Sequence, residues 1–135
     1  MKWRFKYFEP HELLSPDGMA LYARGVLPID ANAILKLEKI RGDFNTPFFV
    51  NHGWLQLRGF RSPRENFSIY KDNRYSFHFW CAFDVTQDKF SPKDFFDLLR
   101  NKKEEYGIGG LGLYESSNFV HIDFRKGNFA TWLGK

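Results

Sequence analysis

The sequence predicts an α+β fold, a small antiparallel sheet with flanking helices. Three observations point there: two capped helical stripes, several short apolar strands, and no regular strand–helix alternation of the kind that winds a parallel sheet. A chain of 135 residues is about one domain long, so residues 1–135 are read as a single core.

The elements follow in order. Up to Pro28 the chain carries Pro10, Pro16, Gly18 and Gly25, which predicts irregular structure with one helical turn around Pro10-His11-Glu12-Leu13-Leu14. Asp30 is a helix N-cap, and Ile34, Leu35, Leu37 and Ile40 form the apolar stripe of a helix ending near Gly42, with Glu38 and Lys39 on its wet side. Pro47-Phe48-Phe49-Val50 reads as a buried strand closed by the turn Asn51-His52-Gly53. A polar loop is expected from Gly59 to about Tyr75, then a strand over 79–85. Ser91-Pro92 starts a second helix with Phe95, Phe96, Leu98 and Leu99 inside. The glycine-rich run Gly107-Ile108-Gly109-Gly110-Leu111-Gly112-Leu113-Tyr114 leads to a last strand over 119–124, in which His121 and Asp123 share one face.

Composition excludes several function classes. One cysteine, Cys81, cannot make an internal disulfide or a thiolate-rich zinc finger, so any metal must be held mainly by carboxylates and the four histidines His11, His52, His78 and His121. The net charge of +4 is spread among acidic neighbours, as in Lys102-Lys103-Glu104-Glu105, so no nucleic-acid partner is expected. A single-stranded nucleic-acid binder built on Tyr70-Lys71 and Arg74-Tyr75 is the minor alternative. No stretch is apolar enough to span a membrane, and the N-terminus lacks a signal peptide, so the chain is expected to be cytoplasmic as synthesised.

The chemistry concentrates in Ser76-Phe77-His78-Phe79-Trp80-Cys81-Ala82-Phe83-Asp84 and Phe119-Val120-His121-Ile122-Asp123. A catalytic zinc takes three protein ligands and leaves one position open, and two imidazoles with one carboxylate suit it. On spacing alone, His78 and Asp84 fit a hydrogen-bonded histidine beside a strand-end aspartate better than a metal site. His11 reads as a surface residue, His52 as a half-buried one ahead of a cleft lining, and Trp80 and Tyr114 as core rings ahead of walls for a peptide or sugar.

At these residues the chain resembles the zinc D,D-peptidases of bacterial cell walls, which share a metal-site fold with hedgehog signalling domains. The family pattern Ser-x-His-x-x-Gly-x-Ala-x-Asp is met by Ser76, His78, Ala82 and Asp84, and a later Phe-Val-His-x-Asp by Phe119 to Asp123. Gly59-Phe60-Arg61-Ser62-Pro63-Arg64-Glu65-Asn66 and Gly109-Gly110-Leu111-Gly112-Leu113-Tyr114 are similar to two further family motifs, in the family's order. The resemblance implies zinc held by His78, Asp84 and His121, catalytic support from Arg61 at the oxyanion and from Asp123 behind His121, and a peptidoglycan peptide as substrate. It implies an amide hydrolase of stem peptides or cross-links, released to the wall by other means or carried on a virion. Two departures support the alternative of an inactive metal-binding or wall-binding module. Cys81 replaces the family glycine and the segment is one residue short, which calls for a different local turn or for Cys81 as substitute ligand, although a core role suits the thiol better. Asn118 stands where relatives carry an acidic base, and Glu115, Asp123 or a residue on a moving loop would have to replace it.

Overall fold

A computed structural model of the protein describes residues 2–135. Among them are six helices and one four-stranded sheet. The first stretch is more helical than its prolines suggest, because two of them occupy first-turn positions that need no amide hydrogen. Pro10 opens α1 (Pro10–Leu13) and Pro16 opens α2 (Pro16–Ala23), the latter capped by Ser15, whose side chain accepts from the Gly18 amide. The Asp30-capped helix is α3 (Ala31–Phe44), which overruns Gly42 and stops at Asn45 in the left-handed conformation, φ 50°. Ile34, Leu37 and Ile40 are buried along it, whereas Leu35 faces outward. Glu38 departs from the expected wet side: it is buried and accepts from the Lys6 and Tyr7 amides, tying the N-terminal strand of chain to the helix.

The expected loop over 59–75 contains α4 (Pro63–Tyr70). Ser62 and Glu65 form a reciprocal capping box with Pro63 in the first turn, so the Gly-Phe-Arg-Ser-Pro motif is a helix start. Residues 47–50 make only an isolated bridge, Phe49 to Thr86, instead of a strand. The strand expected over 79–85 is shorter than predicted: a 3₁₀ turn, Phe77–Phe79, precedes β1 (Ala82–Val85). Ser91 caps α5 (Pro92–Asn101) as expected, and α6 (Lys103–Tyr106) follows. The remaining strands are β2 (Gly110–Tyr114), β3 (Phe119–Asp123) and β4 (Ala130–Leu133).

The sheet order is β1-β3-β2-β4, and the antiparallel expectation holds for the first three strands. The fourth pairs in parallel with β2, so the sheet is mixed. Strand alternation divides its two faces by chemistry. Phe83, Val85, Val120, Ile122, Leu111 and Leu113 alternate onto the face that joins α5 and the core. The other face carries a row running straight across the sheet, Asp84, His121, Gly112 and Trp132, and beside it a second row, Ala82, Asp123, Gly110 and Ala130. The glycines leave room for the larger side chains of those rows. A Cβ at Gly112 would lie 2.4 Å from the Trp132 indole nitrogen, and one at Gly110 would lie 2.4 Å from an Asp123 carboxylate oxygen.

Candidate metal centre

His121 and Asp84 are brought together by register, as direct cross-strand partners on β3 and β1. His78 arrives from outside the sheet on the 3₁₀ turn, whose first turn is capped by Ser76. That turn is the different local path the shortened segment calls for: it lets six residues connect two side chains that meet at one point. His78 Nε2 lies 3.4 Å from Asp84 Oδ1, His121 Nδ1 lies 3.0 Å from the same oxygen, and one ligand atom from each residue falls within 4.8 Å of the others. Ligands about 2.0–2.2 Å from a tetrahedral zinc are separated by about 3.3–3.6 Å, so the donor set fits the ion with small adjustments.

The outer atoms fix which nitrogens are free. The Gly59 carbonyl, 2.8 Å from His78 Nδ1, can only accept, so Nδ1 carries hydrogen and Nε2 presents its lone pair to the centre. His121 donates from Nε2 to Asp123 Oδ2 at 2.8 Å, which turns Nδ1 inward. Asp123 is in turn gripped by Arg125 through Nε at 2.8 Å and a terminal nitrogen at 2.6 Å. The Arg125 guanidinium lies over the Phe77 ring, 3.8 Å from its centroid, which joins the turn bearing His78 to the strand bearing His121.

Burial and charge act in opposition here. Burial pushes the His78 imidazole below its ordinary value, keeping it neutral as a ligand must be. For His121 burial opposes the charged form, but hydrogen bonds to Asp123 and Asp84 outweigh it and raise the value. Asp84 is buried, which alone would raise its carboxyl, yet the two histidines hold it well below the usual carboxylate range. Asp123 is lowered likewise, by Arg125 and His121 against the cost of burial.

A cleft of about 310 Å³ opens over the centre, lined among others by Arg61, Tyr70, Tyr114, Arg125 and Trp132. Arg61 reaches it from the start of α4 and is itself buried, its Nε donating to Asn66 Oδ1 at 2.9 Å and a terminal nitrogen to the Leu57 carbonyl at 3.0 Å. The Asn that closes the Gly-Phe-Arg-Ser-Pro-x-x-Asn motif thus holds the guanidinium of its Arg, while the carbonyl of the opening Gly59 holds His78. Tyr114 is a cleft wall and not a core ring, its hydroxyl accepting from Trp132 Nε1 at 2.9 Å. Trp80 does pack against the core.

The structure decides among several expectations. Asp123 does not line the cleft: it is fully buried behind His121 with both oxygens engaged, so it positions the histidine and does not meet substrate. Asn118 is exposed, at φ 57° in the turn before β3, and Glu115 is exposed at the end of β2, leaving Asp84 as the one carboxylate lining the cleft among the described residues. Cys81 is no substitute ligand. It is fully buried in the apolar core, outside the His78, Asp84 and His121 group. Burial pushes its thiol up to about 12, so Ellman's reagent at pH 8 is expected to leave Cys81 unmodified in folded protein and to titrate one thiol per chain after denaturation. His11 is exposed and His52 half-buried, and neither joins the group. Arg74 pairs with Asp72 and lies over the Tyr70 ring, so two of the residues suited to nucleic acid are engaged with each other.

Arg125 and Trp132 are functional neighbours the motifs do not mark. Arg125 lies two residues beyond Asp123, the spacing of one strand face, and that periodicity is its only sequence signal.

A family model described as peptidase M15 matches residues 6–123, which includes every residue of the proposed ligand set. The chain belongs to the peptidase M15 family. This is a family of zinc D,D-peptidases. Neither curated proteins nor solved structures give a match to the chain. Membership makes a peptide the class of substrate and zinc the family's metal, and the His78, Asp84 and His121 cluster is a group able to hold it. No helix among the described residues of this M15 family member is long and apolar enough to cross a membrane.

Proposed function

We propose that residues 1–135 act as one zinc-dependent peptidase domain that hydrolyses amide bonds in peptidoglycan stem peptides or cross-links. The observation that carries this is the convergence of three buried ligand atoms under an open cleft, with each imidazole's free nitrogen selected by an outer hydrogen bond. His78, Asp84 and His121 hold the ion, which when bound supplies Lewis acidity to the scissile carbonyl and to water. Arg61 donates to the oxygen on which negative charge develops, from a guanidinium already fixed by Asn66 and Leu57. Asp123 keeps the hydrogen on His121 Nε2, and Arg125 keeps Asp123 in place. Tyr114 and Trp132 wall one side of the cleft and exclude water from it. The modest positive charge suits an anionic wall, reached by release from the cell or on a virion.

Digestion of purified peptidoglycan by the zinc-loaded protein tests the proposal. New amine groups are expected, with none after chelation and none from His78→Ala. Zinc-loaded protein that releases no amines would leave only the binding module suggested by Asn118.

A further inference from the structure

Beside the metal cleft runs a second concavity, a groove of about 580 Å³ that shares Arg61, Asp84 and Phe119 with it. Its wall is unlike the cleft's. Trp54 is 87% exposed and Ile69 44% exposed, and Leu55 and Leu57 continue the apolar surface. Exposed apolar side chains gathered along a groove mark a binding surface more often than scattered ones do.

The groove also holds three arginines, and their partners differ. Arg64 is taken by Asp17. Arg61 and Arg58 make no ion pair with any carboxylate among the described residues. Arg61 is 6% exposed and lines the groove with the charge of Asp84 acting on it, but its nitrogens go to Asn66, Leu57 and Ser76 and none to a carboxylate. Arg58 is half-buried with its guanidinium over the Phe119 ring, 4.1 Å from the centroid, which fixes its plane at the groove wall. Of the groove's two carboxylates, Asp84 faces the histidines and Glu65 is used by Ser15, Asp17 and Ser62. A guanidinium held in plane by Phe119 and without a carboxylate partner, as at Arg58, favours an anion whose shape a planar fork can match.

We propose that this groove is a second binding site, which reads a carboxylate of the peptide substrate with Arg58 and packs the adjoining aliphatic part of the peptide on Trp54 and Ile69. The inference rests on the peptidase reading for the identity of the peptide, and it adds a preference for substrates with a free carboxylate beside the segment that crosses the metal. The groove's continuity with the cleft at Arg61 and Asp84 lets one extended chain occupy both. The carboxylate belongs either to a side chain of the stem or to its C-terminus, and the two sources are separable.

The test uses one wall stem pentapeptide in three forms: fully free, amidated at the side-chain carboxylate, and amidated at the C-terminus. Each is titrated calorimetrically into the zinc-loaded wild-type, Arg58→Gln and Trp54→Ala proteins. Where a peptide is cleaved, the ratio of kcat/KM values replaces the ratio of affinities. The wild type is expected to favour the free form about tenfold over one amidated form, which identifies the carboxylate that is read. Arg58→Gln is expected to treat the forms alike, and Trp54→Ala to weaken all of them several-fold while keeping the preference. Equal treatment of the three forms by the wild type, no binding of any form, or a preference that survives in Arg58→Gln overturns the inference. Preferential binding without cleavage would overturn the peptidase reading alone.

Discussion

His121→Ala is expected to reduce bound zinc from about one per chain to none under dialysis and to abolish hydrolysis. The magnitude follows from structural four-ligand sites, where about 10–16 kcal/mol of zinc binding shared equally assigns about 2.5–4 kcal/mol, or a factor of about 10²–10³, to one ligand. His121 is the severest choice of the three because its ring joins both halves of the centre: Nδ1 faces Asp84 at 3.0 Å and Nε2 faces Asp123 at 2.8 Å. Truncation leaves two buried carboxylates on the sheet face without that imidazole between them, so the variant also loses stability that zinc cannot restore. The checks are zinc content by elemental analysis and thermal melts with and without chelator. Wild-type protein is expected to melt at a lower temperature in chelator, since a ligand bound only by the folded state stabilises it by about 4 kcal/mol at a thousandfold excess over its Kd. The variant's melt should not respond. Full zinc content in His121→Ala would remove the residue from the ligand set.

The second large effect is expected from Asp123→Ala, a residue that touches neither the cleft nor the ion. Its carboxylate is fully buried and accepts from His121 and from two nitrogens of Arg125, itself 19% exposed. Removing one partner of a buried pair strands the other, which costs about 3–5 kcal/mol. Urea unfolding should show that loss, while Asp123→Asn, which retains an acceptor and the shape, should lose less. Zinc affinity should fall about 10–100-fold because the His121 ring is no longer held. A double-mutant cycle with Arg125→Met separates the two effects, since charge repair without Asp123 recovers stability but not zinc affinity. A loss below about 1 kcal/mol in Asp123→Ala would mean that the Arg125 grip contributes little.

The clustering of His78, Asp84 and His121 was legible because strand alternation and motif order both constrain it. His121 and Asp123 share a face for the reason the alternation predicts, and Ser91-Pro92 opens α5 as its side-chain chemistry requires. The same grammar, Ser62-Pro63 with Glu65 three residues after the cap, opens α4, but polar composition masks it: Phe67, Ile69 and Tyr70 are exposed, so no apolar stripe advertises the helix. Glu38 looked solvated because nothing local reveals that backbone amides over thirty residues away will need an acceptor. Trp132 reaches the centre only through parallel pairing of β4 with β2, a non-local fact that alternation within one strand cannot supply. Asp123 was recognisable as a neighbour of the site, but its burial by Arg125 was not.

The straight row of Asp84, His121, Gly112 and Trp132 across three strand pairings has one more implication. Successive side chains point to opposite faces, so sliding β3 by one residue against β1 would put Val120 or Ile122 opposite Asp84 and turn His121 into the aliphatic layer. Such a slipped sheet keeps most of its backbone hydrogen bonds yet has no second imidazole to offer an ion. Zinc captured by this cluster would therefore work as a proofreader of strand alignment: a loaded chain would be one whose sheet has been assembled in the correct phase.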